Sequence, residues 1–262
     1  MRRALSLALA ASSALLLLLI GVGPPGQASG PSAHAGQSGK ATPAHLTVVQ
    51  AVPGATVDVS VDGRSVARGA VVGDLLGPFD LAPGSHEVTF TGDGMEVASS
   101  LDVTAGDSTD VVLHLPAEVG GDPVVHSYAA PTGEIGPGKA RVVLAHTATV
   151  APADVEVNGE TVFTNIANGE YAEAEVPAGT HEVALLPTGG TGKPILGPLQ
   201  VPLDARTLSM IYAYGNPRDG SMNVIAHTST LAADGAVRPT TIDTGSAGLA
   251  GDLAVTAFHP GR

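Results

Sequence analysis

One folding unit is written twice in this 262-residue chain. Two blocks recur in the same order: Val57–Gly63 and Leu81–Val88 in the first copy, and Ala153–Gly159 and Val176–Val183 in the second. Gly63 and Gly159 lie 96 residues apart (159 − 63), and His86 and His181 lie 95 apart (181 − 86). Because the offset is nearly constant over both blocks, the chain is predicted to be a tandem duplication of one domain.

The repeated blocks have the period-two pattern of half-buried β-strands, with Val57, Val59 and Val61 alternating with polar residues. The first block of each copy ends in a residue pair that favours a two-residue type I′ hairpin, Asp62-Gly63 in one copy and Asn158-Gly159 in the other. Such hairpins would place Val66 opposite Val59, and Val162 opposite Val155.

Further strands are predicted at 87–90, 111–115 and 124–128, and at 182–186, 208–214 and 222–227 in the second copy. About seven short strands per copy, without an amphipathic helical stretch, predict an all-β chain. The predicted fold is two tandem immunoglobulin-like antiparallel β-sandwich domains after a signal peptide, with a small barrel as the alternative.

The N-terminus has the features of an export signal. Arg2 and Arg3 precede the apolar stretch Ala4–Val22, and Ala33-His34-Ala35 offers a cleavage site before Gly36. An uncleaved anchor is the alternative, because the apolar stretch approaches the ~20 residues that span a bilayer. The predicted organisation is signal peptide 1–35, flexible leader 36–44, β-sandwich repeat 45–131, linker 132–139, β-sandwich repeat 140–231 and flexible C-terminal tail 232–262.

Composition narrows the functional classes. The chain has no cysteine, which excludes disulfides and thiolate metal ligands or nucleophiles. Its formal charge is −13, and removal of residues 1–35, with their two arginines, would leave −15. This charge disfavours nucleic acid and anionic lipid as partners, since both are bound mainly by Lys and Arg. We expect a secreted or loosely cell-surface-associated protein with no membrane span after signal cleavage.

Three segments carry a resemblance to a known family: Leu46–Val59 and Gly77–Gly84 in the first copy, and Ala140–Ala148 in the second. They resemble the exported tandem-repeat proteins of actinobacteria grouped as domain of unknown function DUF4397. The resemblance covers about residues 45–230, and extends to a short tail segment at 245–250. The family often has a histidine early in the repeat, where this chain has His146 in the second copy and Gln50 in the first. The Ser-Pro-Asp that usually follows is replaced by Thr-Ala-Thr at 147–149. The resemblance implies the fold and export, and assigns no activity.

Histidines at matching positions raise the possibility of one metal site per domain. His86-Glu87 matches His181-Glu182, and His126 nearly matches His227. However, neighbouring residues on a strand point to opposite faces, and zinc sites need three or four converging ligands. We therefore expect turn-proximal polar residues and no metal ligands.

Acidic residues could bind calcium, namely Asp58, Asp62 and Asp154. They alternate with valine along a strand, however, which is typical of a solvated sheet face. Gly189–Lys193 departs from the phosphate-binding loop pattern and is predicted to be a hairpin loop, and Gly245–Gly248 lacks the Gly-x-Ser-x-Gly spacing of hydrolases.

Tyr212 and Tyr214 share one face of a strand, where they could stack on a sugar or pack at the strand end, and packing is favoured. The loops Gly73–Leu75 and Asn168–Tyr171 lie where sandwich proteins often bind ligands.

The sequence nominates no catalytic, cofactor-binding or metal-binding residue and no cofactor. It predicts a non-catalytic secreted or cell-surface protein, an adhesion, scaffold or interaction module of the cell envelope whose partner is an unknown envelope protein or glycan. The alternative is an extracellular protein that binds a small ligand or a metal ion, either calcium or a histidine-bound metal. The segment Ala250–Arg262 lacks a Leu-Pro-x-Thr-Gly motif and a spanning helix, so covalent sorting to the wall is not expected.

Overall fold

The computed structural model describes residues 41–190 and 192–238, which belong to one compact unit. The predicted signal peptide, most of the leader and the segment Gly245–Gly248 lie outside these residues. The first repeat contains β1 (Ala44–Gln50), β2 (Val57–Val61), β3 (Arg64–Ala70), β4 (Leu75–Leu81), β5 (Gly84–Gly92), β6 (Met95–Val103), β7 (Ser108–His114) and β8 (Val124–Ala129). The second contains β9 (Lys139–Ala148), β10 (Ala153–Val157), β11 (Glu160–Ile166), β12 (Tyr171–Pro177), β13 (Gly179–Pro187), β14 (Leu196–Leu203), β15 (Thr207–Gly215) and β16 (Asn223–Leu231), and β17 (Val237–Arg238) follows it.

Each repeat folds into two sheets. In the first repeat the strand orders are β4-β1-β7-β8 and β3-β2-β5-β6. The second repeats them as β12-β9-β15-β16-β17 and β11-β10-β13-β14. Strand pairing is antiparallel except between β1 and β7 and between β9 and β15, which are parallel. The predicted all-β class, with two tandem sandwiches of immunoglobulin-like type, is confirmed.

The first hairpin of each repeat closes as its turn residues predict. The φ angles are 51° at Asp62, 73° at Gly63, 53° at Asn158 and 81° at Gly159. A type I′ turn needs positive φ at both central residues, and Asp, Asn and Gly tolerate it best. Turn chemistry that is readable over two residues therefore determines where β2 meets β3 and where β10 meets β11.

The predicted register beyond these turns is wrong by one residue. Val59 pairs with Ala67, and Val155 pairs with Phe163. The first β-bulge of each hairpin inserts one extra residue on the second strand, and a second bulge further along shifts the register again, so that Val57 pairs with Ala70 and Ala153 pairs with Ile166. The extra residues of the first bulge are the predicted partners themselves, Val66 and Val162.

The two repeats pack against each other through the sheets that contain β1 and β9. Strands β1, β7, β9 and β15 are buried along nearly their whole length, because one face contacts their own repeat and the other contacts the neighbouring repeat. Near-continuous apolar runs are the pattern of strands buried on both faces. The first repeat contributes Val49, Ala51, Val112 and Tyr128 to this interface, and the second contributes Val143, Ala145, Leu208, Met210, Tyr212, Tyr214, Ile225 and Leu231. The result is a stack of four sheets.

The segment predicted as a linker, 132–139, is held by the buried side chain of Arg141 on β9. Its guanidinium donates to the backbone carbonyls of Pro131 (3.3 Å), Gly133 (3.2 Å) and Glu134 (3.1 Å). It also pairs with the Glu175 carboxylate at 2.5 Å, which balances its charge. The connection between the repeats is therefore part of the packed structure.

The segment predicted as a flexible tail begins with ordered structure. Strand β17 pairs with the last residues of β16. It extends the inner sheet of the second repeat, which is the sheet that contains β9 and faces the first repeat. Residues 239–262 of that predicted tail lie outside the described residues.

Candidate functional site

A buried polar network lies at the interface between the repeats. Asp110 on β7 is 5% exposed, and its Oδ2 accepts hydrogen bonds from the Tyr212 hydroxyl (2.5 Å) and from Nε2 of His227. Both donors belong to the second repeat and are also buried. Burial alone would lower the pKa of His227, but the charge and the hydrogen bond of Asp110 outweigh it and raise that pKa. Asp110 and His227 therefore form an ion pair that links the two repeats.

The sequence singles out Tyr212 and His227 but not Asp110. The strand that carries Asp110 alternates between two apolar environments: Val111 and Leu113 face the core of the first repeat, and Val112 faces the second repeat. The sequence did contain one indication of this site, a single carboxylate on the face of the strand that also carries Val112. It becomes interpretable only when the partner sheet is known.

Two further histidines lie at one end of the same interface. His114 Nδ1 lies 2.8 Å from the Leu115 carbonyl, so it donates there, and its Nε2 accepts from His126 Nδ1 at 2.8 Å. Burial lowers the pKa of His114 to about 4, which leaves this ring neutral. His126 and His227 do not occupy equivalent positions, since His227 lies opposite Met210 and His126 lies opposite Val112. They hydrogen-bond to different partners.

His146 and Gln50 perform the same local task in the two repeats. The Gln50 side chain accepts from the amide of Val52 (2.5 Å) and donates to the carbonyl of Ala55 (3.0 Å). His146 accepts from the amide of the residue two positions on, Ala148, and donates to the carbonyl five positions on, Ala151, each at 3.4 Å. Both buried side chains thus hold the loop that follows the first strand of the repeat, which explains why Gln can replace His.

His86 and His181 join the hairpin turn to the Pro/Gly turn of their own repeats. His86 donates to Asp62 Oδ2 and to the Ala82 carbonyl, each at 2.7 Å. Two acceptors favour the doubly protonated ring, and the Asp62 hydrogen bond is the larger cause that raises the pKa of His86. His181 instead accepts from the Asn158 amide (3.2 Å) and donates to the Pro177 carbonyl (2.9 Å). The matched histidines therefore support matched turns.

The matched aspartates bind backbone amides. Asp58 accepts from Gly69 at 2.9 Å. Asp154 accepts from Asn165 at 2.8 Å and from Gly189 at 2.9 Å, and these amide hydrogen bonds lower the pKa of Asp154. Gly69 and Asn165 both have positive φ, so each aspartate supports a left-handed residue after a bulge. Within residues 41–190 and 192–238, no group of three or more His, Asp or Glu side chains is arranged to hold a metal ion.

The remaining candidates also lie in structural positions. The Asn168 amide donates to the carbonyls of Leu115 (3.1 Å) and Ala148 (2.8 Å), so this loop bridges the repeats. Tyr212 and Tyr214 are buried in the interface. The loop Gly73–Leu75 folds back on the first strand through a 2.9 Å hydrogen bond from the Gly73 amide to the Gln50 carbonyl. The glycine-rich loop at 189–193 connects the antiparallel strands β13 and β14.

The same edge of each sandwich is open, but the two openings differ. In the first repeat, a groove of about 890 Å³ is lined by Phe79 and Leu81 together with polar residues such as Asp62, Arg64 and Asp80. In the second, a cavity of about 130 Å³ lies between the sheets, and its lining includes valines, leucines and Phe163. Duplication has therefore produced a polar-rimmed surface groove and an apolar interior cavity at matching places.

The family model described as Domain of unknown function (DUF4397) matches residues 44–153. This segment contains the first repeat, the linker and the first strand of the second repeat. The match supports the family resemblance for that segment. No curated protein matches the chain. Across the part of the chain that the structure describes, there is no helix with the length and apolarity needed to cross a membrane.

Proposed function

We propose that this chain is a non-catalytic interaction module of the cell envelope, exported by an actinobacterium as a tandem-repeat protein of the DUF4397 type. One observation carries the proposal: the central strands of the sheets at the interface, β1, β7, β9 and β15, are buried on both faces. An apolar interface with a buried ion pair favours one rigid body over two independently moving domains. The outer sheets, which contain β2 in the first repeat and β10 in the second, are then held on opposite sides of the stack. A scaffold between two partners would require this arrangement.

The outer sheets present polar, solvent-exposed faces suited to such contacts. On the first repeat, Glu87 lies opposite Ser100 on neighbouring strands, and both are exposed. On the second, the exposed pair is Glu182 and Gln200, joined by a 3.1 Å hydrogen bond. Carboxylates, amides and hydroxyls can hydrogen-bond to glycan hydroxyls or to the polar rim of a protein partner. The proposed partner is therefore an envelope glycan or protein.

Binding to isolated envelopes of the producing cells tests this function. We expect saturable cosedimentation of the purified protein, weakened by Glu87→Lys and by Glu182→Lys, which reverse a charge at matched positions of the two outer faces. Glu118→Lys makes the same charge change in the exposed β7–β8 loop and is the control. Absence of saturable binding would contradict the proposal. So would turnover of a substrate that a single substitution abolishes.

Export is tested separately, by fractionation of the producing cells with intact-mass measurement. A species in the medium that begins at Gly36 supports a cleaved, diffusible protein. Retention in the membrane at a mass that includes residues 1–35 would show that the N-terminal segment is an anchor.

A second function is favoured by the cavity of the second repeat. It supports the small-ligand alternative, because its lining is a ready-made environment for an apolar molecule.

A further inference from the structure

Several residues that line the cavity of the second repeat are smaller than their counterparts in the first, although Phe163 is larger than its counterpart Ala67. Strand pairing makes the correspondence unambiguous: Leu46 pairs with Phe79 in the first repeat, and Val142 pairs with Ala174 at the same place in the second. In the same way Ala44 pairs with Leu81 in the first repeat, and Ala140 pairs with Val176 in the second. The Phe79 ring of the first repeat is therefore absent from the second, where Ala174 and Val176 line the cavity.

The cavity reaches the surface at the bulge in β11. Val162, the extra residue of that bulge, lines the cavity and is 47% exposed. The opening lies between β11 and β12, which belong to different sheets. A molecule can thus enter between two sheet edges without breaking a strand ladder.

The lining offers no free hydrogen-bonding side chain. His181 is its one residue with a polar side chain, and both ring nitrogens are occupied, by the Pro177 carbonyl and by the Asn158 amide. A ligand carrying a charge or an amide would lose its hydration without compensation. The lining therefore selects an apolar ligand.

The volume sets the size of that ligand. A dry apolar cavity of about 150 Å³ is known to hold benzene or xenon, and this cavity is about 130 Å³. We propose that the second repeat binds one small hydrocarbon, or one hydrocarbon group of comparable size at the end of a larger molecule. The first repeat does not bind it, because the larger side chains of Leu46, Phe79 and Leu81 occupy the matching place.

Methyl NMR of the purified protein, with xenon under pressure and then benzene as probes, tests the proposal. We expect saturable shifts at the methyl groups of Val155, Val183 and Leu203. The matched residues of the first repeat, Val59, Val88 and Val103, are the internal control and should not move. Equal shifts in both repeats, or none in the second, would overturn the proposal.

Filling the cavity tests the site itself. Ala174→Phe restores the ring found in the first repeat and should weaken benzene binding by more than about tenfold. If this variant folds poorly, the gentler pair Val142→Leu and Val176→Leu restores the leucines at the matched positions. Val66→Phe adds the same ring at the opening of the first repeat and should leave benzene binding unchanged. Benzene affinity that survives in a folded cavity-filled variant refutes this location.

Discussion

Replacement of Asp110 by valine should weaken the interface between the two repeats, so that they no longer unfold together. Valine is the residue at the next interface-facing position of the strand, Val112, so backbone propensity is preserved. The substitution leaves the Tyr212 hydroxyl and the His227 ring buried without their shared acceptor. Each stranded group costs about 1–3 kcal/mol, and removal of one member of a buried ion pair costs about 3–5 kcal/mol. We expect a loss of about 3–5 kcal/mol, a large fraction of a typical domain stability of about 5–15 kcal/mol.

Urea unfolding followed by two probes measures this effect. The chain has four tyrosines and no tryptophan, and three of the tyrosines, Tyr128, Tyr212 and Tyr214, are buried in the interface. Tyrosine fluorescence therefore reports the interface, whereas far-UV circular dichroism reports all strands. In the wild type we expect the two transitions to coincide. In Asp110→Val the fluorescence transition should move to lower urea than the dichroism transition.

A matched control uses Asp102, which is exposed on the outer sheet of the same repeat. Asp102→Val should change stability by no more than about 0.5 kcal/mol. If Asp110→Val behaves like Asp102→Val, the buried network does not hold the repeats together and the reasoning is refuted. Adding Tyr212→Phe to Asp110→Val removes one stranded hydroxyl and should recover part of the loss, which the double-mutant cycle quantifies.

Three further predictions concern titration and repeat equivalence. Because the pKa of His227 is raised above 6.5, its pairing with Asp110 contributes fully below that pH and is lost as pH rises through the raised value. The stability advantage of the wild type over Asp110→Asn should therefore shrink as pH rises from below 6.5 through the raised pKa of His227, measured by urea midpoints, and an advantage that grew with pH would contradict the ion pair. His146→Gln should cost less than about 1 kcal/mol in thermal unfolding, whereas His146→Ala, which loses two backbone partners, should cost about 2–4 kcal/mol, and equal costs would show that Gln does not replace the ring. Asp62→Asn should lower the pKa of His86 in an NMR titration, since the carboxylate is the main cause of its raised value, and an unchanged pKa would exclude that cause.

Local chemistry made much of the fold predictable. A type I′ turn needs only two residues, and alternation of apolar and polar side chains needs only five, so both can be recognised in Val57–Gly63. The duplication then doubled the evidence, because the same turns and strands had to fit both copies. The family resemblance followed from the same residues.

The bulge was not predictable from these signals. Both Val66 and Val162 suit an inward position on a regular strand, but the bulge gives the cross-strand position to the next residue, Ala67 or Phe163. Which of two adjacent apolar residues enters the core depends on the space left by the opposite sheet. That space is a property of the assembled sandwich.

For the candidate site as well, some features could be predicted from the sequence and others depended on the tertiary structure. From the amino-acid sequence alone came the duplicated domain, its strands and turns, and the expectation that matched histidines lie beside turns, because all of these depend on residues close together in the chain. The tertiary structure decided that the two repeats share a buried interface, that Asp110 meets His227 across 117 positions of sequence, and that an apolar cavity lies between the sheets of the second repeat. Those outcomes depend on how volumes and charges from distant strands fit together, and no local pattern records that fit.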